Sequence, residues 1–214
     1  MKIDLISVDP LAAVQLVYAA KTQDLEFDSV WIVDQDERLC ALLKDYSSIG
    51  RFNLRFIANH HDTGLTDDLK SRKVALLLQV GSVMIRKDLL EAPTVGVLNL
   101  HAGMLPRYRG LDSAMWAVLE DGVHGVTAHL LAPSVDTGPI VLNEPVPIVP
   151  GETVSQLLAR THNKFKWQVF VRAACGLRDG SLRPRPQAPE EGRQYFELHP
   201  KLASLAAELV MKRP

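Results

Sequence analysis

Hydrophobic and polar positions along this chain switch between two periods, and the switches divide it into elements. Residues 3–8 read as a first strand. Asp9 and Pro10 then open a helix to about Ala20, with Asp9 as its N-cap and Pro10 at its first turn. Strands are predicted at 30–33 and 54–58, with a polar stretch at 34–37 leading into a short helix that ends near Tyr46. A short capped helix is predicted at 66–69. Residues 73–80 are almost continuously apolar, as expected of a central parallel strand covered on both faces. A helix at 85–90 and a further buried strand at 95–100 follow. Strands alternating with helices at this spacing predict an α/β fold, a doubly wound and mostly parallel sheet.

After Gly110 the pattern predicts a helix over 111–120, with Asp112 or Ser113 near its start and a stripe of Met115, Trp116 and Leu119. Residues 123–131 and 140–149 both alternate like strands and are joined by 132–139, which suits an antiparallel pair and makes the sheet mixed. Thr153 and Gln156 have the spacing of a capping box that opens a long helix to about Ala174, ended by Gly176. Pro184, Pro186 and Pro189 lie among charged residues in a loop or extended arm over 178–193, and a helix over 201–211 ends the chain. The expected division is a main domain over 1–177 and an appendage over 178–214 that packs on it or on a partner. Residues 195–211 are equally a candidate homodimer contact and a cover for the chain's own core.

Composition narrows the function classes. The 214 residues are 47% hydrophobic and 23% charged, enough for a sizeable core in one α/β domain. A net charge of −1 with both signs mixed provides no bulk attraction for nucleic acid. No stretch approaches the ~20 apolar residues of a membrane span, and the first residues are too short in apolar length for a signal peptide, so a cytoplasmic protein is expected. Cys40 and Cys175 have no metal-like spacing and are expected as two buried thiols. His60 and His61 lack further ligands for a metal, and His124, His162 and His199 are expected to be surface or structural. The first strand-to-helix turn reads Ser7-Val8-Asp9-Pro10-Leu11, and no glycine occurs before Gly50. A dinucleotide-binding turn needs glycines there, and a carboxylate repels phosphate, so a nicotinamide or flavin dinucleotide is not expected.

Candidate chemistry gathers where the central strands end. Asn99 and His101 alternate onto the same side of their strand, just before a loop broken by Gly103, Pro106 and Gly110. Open α/β sheets place their ligands at such strand ends. The plain alternatives are a strand end whose Asn and His satisfy their own backbone, and an Asp136 that only forms a turn before Thr137 and Gly138.

Three segments in order bear on that choice. They are Asn99-Leu100-His101 followed by Leu105-Pro106-Arg107-Tyr108-Arg109-Gly110, then Gly125-Val126-Thr127-Ala128-His129, then Val135-Asp136-Thr137-Gly138-Pro139-Ile140. Between about residues 80 and 147 the chain resembles the folate-dependent formyltransferase family. The resemblance implies a Rossmann-like formyltransferase fold, N10-formyltetrahydrofolate as co-substrate, a primary amine as acceptor, and no metal. It assigns Asn99, His101 and Asp136 as the catalytic trio, with Thr127 and His129 in support. Met84, Ile85, Val135, Thr137 and Gly138 fall where the family contacts folate, and Arg107, Tyr108, Arg109 and Gly110 where it approaches the acceptor.

The loop His101-Ala102-Gly103-Met104-Leu105-Pro106 departs from the commonest family form, His-Pro-Ser-Leu-Leu-Pro, and is similar instead to the amino-sugar branch. No phosphate-holding glycine loop occurs near the start, and no second domain is expected after the motifs. The favoured acceptor is therefore a nucleotide-linked amino sugar rather than glycinamide ribonucleotide or a tRNA, so the expected partners are small molecules and not nucleic acid or membrane. Competing readings are a glycinamide ribonucleotide formyltransferase, a formyltetrahydrofolate hydrolase, and a catalytically silent folate- or nucleotide-sugar-binding protein.

Overall fold

A computed structural model describes residues 1–33, 41, 44, 52–81 and 83–213. The helix expected to end near Tyr46, the Cys40 thiol and Ser82 lie outside the described residues. The chain divides into two compact units, one of residues 1–99 with 174–181 and one of 100–173 with 182–214.

The first unit is built on parallel strands β1 (Ile3–Ser7), β2 (Ser29–Ile32), β3 (Asn53–Phe56), β4 (Leu76–Val80) and the start of β5 (Gly96–His101). β1 pairs with β2 and β4 in parallel, β2 with β3, and β4 with β5. Every residue of β1, β2 and β4 is buried, which is why these strands are mostly apolar on both faces instead of alternating, with Asp4, Ser7, Ser29 and Gln79 as buried polar exceptions. β3 is half exposed, as befits an edge.

Helix α1 (Pro10–Lys21) buries Ala13, Leu16, Val17 and Ala20 at helical spacing. Its Asp9 cap is as predicted: the carboxylate accepts from Leu11 N at 2.9 Å and Ala12 N at 3.1 Å. Helix α2 (Thr63–Arg72) begins earlier than predicted, because Asp62 already caps Gly64 N at 2.8 Å. The predicted strand at 73–80 and helix at 85–90 shorten to β4 and α3 (Lys87–Leu90).

The second unit contains β6 (Tyr108–Gly110), α4 (Ser113–Leu119), β7 (Gly125–Leu130), β8 (Ile140–Pro145), α5 (Val154–Arg160), most of α6 (Trp167–Asp179), β9 (Arg193–Tyr195) and α7 (Pro200–Lys212). β7 and β8 pair antiparallel, with an irregularity between Ala128 and His129. The sheet has seven strands in the order β3-β2-β1-β4-β5-β7-β8, mostly parallel and mixed, as the alternation pattern implied.

Four expectations need correction here. The stripe buried by α4 is Ala114, Ala117 and Val118, not Met115, Trp116 and Leu119, since the aromatic Trp116 leans half-buried over a neighbouring cluster and donates Nε1 to Phe196 O at 2.8 Å. The Thr153–Gln156 capping box is present, but the helix it opens continues past Gly176 through a π-turn at Thr161–Lys166 and stops before Gly180. Within the first unit the tail of α6 is held by Arg178 Nη1 on Asp24 O at 2.6 Å, and Cys175 there is half-buried rather than buried. The arm is also not an irregular loop throughout. Arg185 bridges Ile140, and β9 pairs in parallel with β6, a strand that local pattern did not reveal.

Candidate active site

In the first unit, Asn99 sits half-buried on β5 against Gln79 of β4. Gln79 Nε2 donates to the Gly81 carbonyl at 2.6 Å. A carbonyl only accepts, so Gln79 must turn its amide oxygen toward Asn99, whose facing atom is then Nδ2. This chain of bonds fixes both amides. Gln79 was missed in the sequence, where it stands inside an apolar run; the available signal was that an amide in a fully buried strand needs partners. Met84 is 70% exposed and Ile85 half-buried, in a segment without regular structure.

The second unit gathers the ionisable groups. Asp136 lies in the β7–β8 connection with φ at +52°, a left-handed conformation that suits an Asp turn residue. Its Oδ2 accepts from Gly110 N at 2.8 Å and lies 3.2 Å from His101 Nδ1. Its Oδ1 lies 3.5 Å from His129 Nε2. His101 Nε2 faces the Tyr108 carbonyl at 2.6 Å and the Ser113 hydroxyl at 3.0 Å. A carbonyl only accepts, so at this distance from the Tyr108 oxygen Nε2 carries a hydrogen, and a hydrogen on Nδ1 would meet Asp136.

The opposite holds at His129. Its Nδ1 faces the Leu130 carbonyl at 3.1 Å and so carries the hydrogen, which leaves the Nε2 lone pair buried, without a hydrogen bond, and aimed at a carboxylate oxygen. Burial pushes the His129 ring below the ordinary imidazole value, more than the charge of Asp136 raises it. Two acceptors facing each other across 3.5 Å leave a place for one proton.

Thr127 supports this corner from behind: its hydroxyl donates to Gly103 O at 2.7 Å and accepts from Leu105 N at 3.1 Å, which pins the loop after β5. Gly138 is buried where a side chain would overlap the Leu130 carbonyl, and Gly110, at φ +92°, where one would overlap the Tyr195 carbonyl. Val135 is exposed, and Thr137 turns its hydroxyl onto Ser134 O at 3.0 Å.

The candidates beside the loop part company. Tyr108 is 1% exposed and packs with Ala117 and Tyr195, its phenol ring 5.4 Å from that of Tyr195. Arg109 is 7% exposed and spends its guanidinium on Gln187 Oε1 at 3.3 Å and Ala188 O at 3.1 Å. Arg107 stays exposed, 3.6 Å from Glu120. Gln187 escaped sequence reasoning altogether and Ser113 was read only as a helix start, because nothing local marks them as neighbours of Asp136 and His101.

Elsewhere in this unit, His124 is buried, its Nε2 on the Thr161 hydroxyl at 3.0 Å. Burial, with the charge of Arg160 adding to it, lowers its pKa to about 4. His199 caps α7 through Lys201 N at 3.3 Å, so both histidines are structural. His162 is exposed on the π-turn. Among the described residues no cluster of three or more His, Cys, Asp or Glu side chains is arranged to hold a metal ion. No described helix is long and apolar enough to cross a membrane.

Fold and site together define a doubly wound α/β protein with a carboxylate held between two imidazoles at the mouth of its β7–β8 connection. The chain belongs to the formyl transferase family, whose model matches residues 1–174. It is 37% identical over 142 residues to a methionyl-tRNA formyltransferase of Parvibaculum lavamentivorans, a match covering 66% of this chain and 44% of that one. The chain thus spans less than half the length of this relative. The glycinamide ribonucleotide transformylase 1 structure from Symbiobacterium toebii has a TM-score of 0.68 at 22% identity, over 88% of this chain and 94% of that chain. A formyltransferase from Anoxybacillus kamchatkensis, solved with UDP-4,6-dideoxy-4-formamido-L-AltNAc and tetrahydrofolate, has a TM-score of 0.58 at 22% identity over 92% of this chain and 86% of that one. At these identities the two structures show the shared fold.

Proposed function

We propose that this chain transfers the formyl group of N10-formyltetrahydrofolate to a primary amine of a small metabolite, with a nucleotide-linked amino sugar as the acceptor class. The observation that carries the reading is Asp136, bound on one oxygen by Gly110 N–H and His101 and faced on the other by the bare lone pair of His129. Formyl transfer asks for such a group. The amine attacks the formyl carbon and must lose a proton, while N10 must gain one as the carbon–nitrogen bond to folate breaks. Asp136 accepts the amine proton, directly or through water, and returns a proton to N10. His129 shares that proton while it resides on Asp136, and His101 is proposed as a donor beside the developing oxyanion. Asn99, whose amide is oriented by Gln79, is the other donor proposed for the oxyanion. Met84, Ile85, Val135, Thr137 and Gly138 are the residues proposed to meet the folate. Of the acceptor-side candidates, Arg107 keeps the exposed guanidinium that an acceptor phosphate would use.

Two further observations support the acceptor class. The nucleotide sugar in the Anoxybacillus structure shows that a relative of this fold takes such a ligand. The α1 N-terminus is closed by the Asp9 carboxylate, which disfavours an acceptor phosphate at that turn. The identity to a methionyl-tRNA formyltransferase makes an aminoacyl-tRNA the second reading. The test is tetrahydrofolate release from N10-formyltetrahydrofolate with a panel of nucleotide-linked amino sugars, glycinamide ribonucleotide, methionyl-tRNA and a water-only control. Release dependent on an amino sugar is the expected result. Release with water alone would make the protein a hydrolase, and release only with methionyl-tRNA or glycinamide ribonucleotide would move the acceptor to those classes.

A further inference from the structure

We infer that Gln187, beyond the residues matched to the family, is a positioning residue that sets the place of Asp136; the inference rests on the transfer chemistry proposed above. Its side-chain amide donates both hydrogens to the Asp136 connection, to the Asp136 carbonyl at 2.9 Å and the Gly138 carbonyl at 2.6 Å. Both partners only accept, so the amide has one orientation, and its oxygen turns to Arg109 Nε at 3.3 Å. One side chain therefore ties the loop bearing the carboxylate to the strand whose end supplies Gly110 N–H to the same carboxylate.

Asp136 needs such a hold. Its left-handed backbone is a conformation that persists where surrounding structure over-determines it, and the two Gln187 bonds bracket it on its C-terminal side. Gln187 is itself fixed from both directions. Two residues earlier, Arg185 exchanges backbone hydrogen bonds with Ile140 at 2.8 and 2.7 Å. One residue later, Ala188 N donates to Glu191 at 2.8 Å and Ala188 O accepts from Arg109 at 3.1 Å. β9 then lies along β6. Arg109, read from sequence as an acceptor contact, serves in this arrangement as the strut of the clamp.

The test compares wild type with Gln187→Leu, which keeps most of the volume and loses both bonds, and Gln187→Glu, which loses the donors and keeps the acceptor. A displacement of about 1 Å at a reacting group can cost roughly 10²-fold, so kcat is expected to fall between about ten- and a hundredfold with KM within about threefold. In parallel, ring-nitrogen resonances of His101 and His129 are recorded in the substrate-free proteins. They are expected to move in both variants, because they report the position of the Asp136 carboxylate whether or not formyl transfer occurs. Unmoved resonances in a folded variant, or an unchanged kcat, would overturn the clamp. If wild type transfers no formyl group, the proposed reaction fails while the resonances still decide the role of Gln187. Should Gln187→Leu not fold, Gln187→Glu is read by the same criteria.

Discussion

Each unit of this protein shelters a carboxylate, and the two are treated in opposite ways. Asp4, on β1 of the first unit, is fully buried and held by three donors: Arg72 grips both its oxygens, and Trp31 Nε1 donates to one of them at 2.9 Å. Hydrogen bonds donated to Asp4 hold the Arg72 guanidinium still further above its already high range, against the opposing effect of burial, and those to Asp68 add to them. Nothing is left for Asp4 to do chemically. Asp136, in the second unit, retains 14% side-chain exposure and is met by one backbone N–H, one imidazole and one bare ring nitrogen. A buried carboxylate held on both oxygens by fixed donors stabilises a fold, whereas one left partly open beside groups that can exchange a proton is equipped to react.

Substitution should break the contrast cleanly. Asp136→Asn is expected to lower turnover on the order of 10³-fold with the fold intact, measured as kcat alongside the thermal midpoint. Turnover that survives would remove Asp136 from the chemistry. The mirror experiment is Asp4→Asn. Unbalancing the buried pair should cost about 3 kcal/mol in denaturant unfolding while leaving kcat near wild type at low temperature, and a marked loss of kcat with stability retained would reverse the comparison. Gln79→Leu lies between these. It strips Asn99 and the Gly81 carbonyl of a partner, and about a tenfold drop in kcat is expected, with no change in kcat counting against a role for the amide chain.

The smallest effect is in pH. His124 has a folded pKa of about 4 against an ordinary value near 6.5, so the unfolded chain binds a proton that the folded one refuses. Stability from this group is complete above about pH 6.5 and is lost as pH falls toward 4, roughly 0.7 kcal/mol of it between pH 7 and 6. His129 pulls in the same direction. Unfolding midpoints at pH 7 and 6 should fall less in His124→Gln than in wild type, and equal slopes would show that His124 is not the group responsible.

Much of the architecture was legible before any coordinates. The strand pattern of β1, the near-continuous apolar run of β4, the Asp9–Pro10 start of α1 and the Thr153–Gln156 capping box are local signals, and each produced the element it predicted. Boundaries were less legible, because the cues compete. Gly176 reads as a helix end, yet the π-turn and the packing of the α6 tail carry the helix to Asp179. The segment over 178–193 read as a loop or extended arm, because the order there and in the residues just after it comes from partners far along the chain: Ile140 for Arg185, Tyr108–Gly110 for β9, and Asp112 for Leu198 N at 2.8 Å.

The amino-acid sequence by itself determined the α/β class, the strand that ends in Asn99 and His101, and the turn that holds Asp136, since strand period, caps and turn residues are local physics. Tertiary structure alone decided that Asp136 lies between His101 and His129, that Tyr108 and Arg109 face inward, and that Gln187 reaches back to the Asp136 connection. Those outcomes depend on which backbone carbonyls and N–H groups meet across long separations, and a hydrogen-bond partner tens of residues away leaves no trace in the residues beside it.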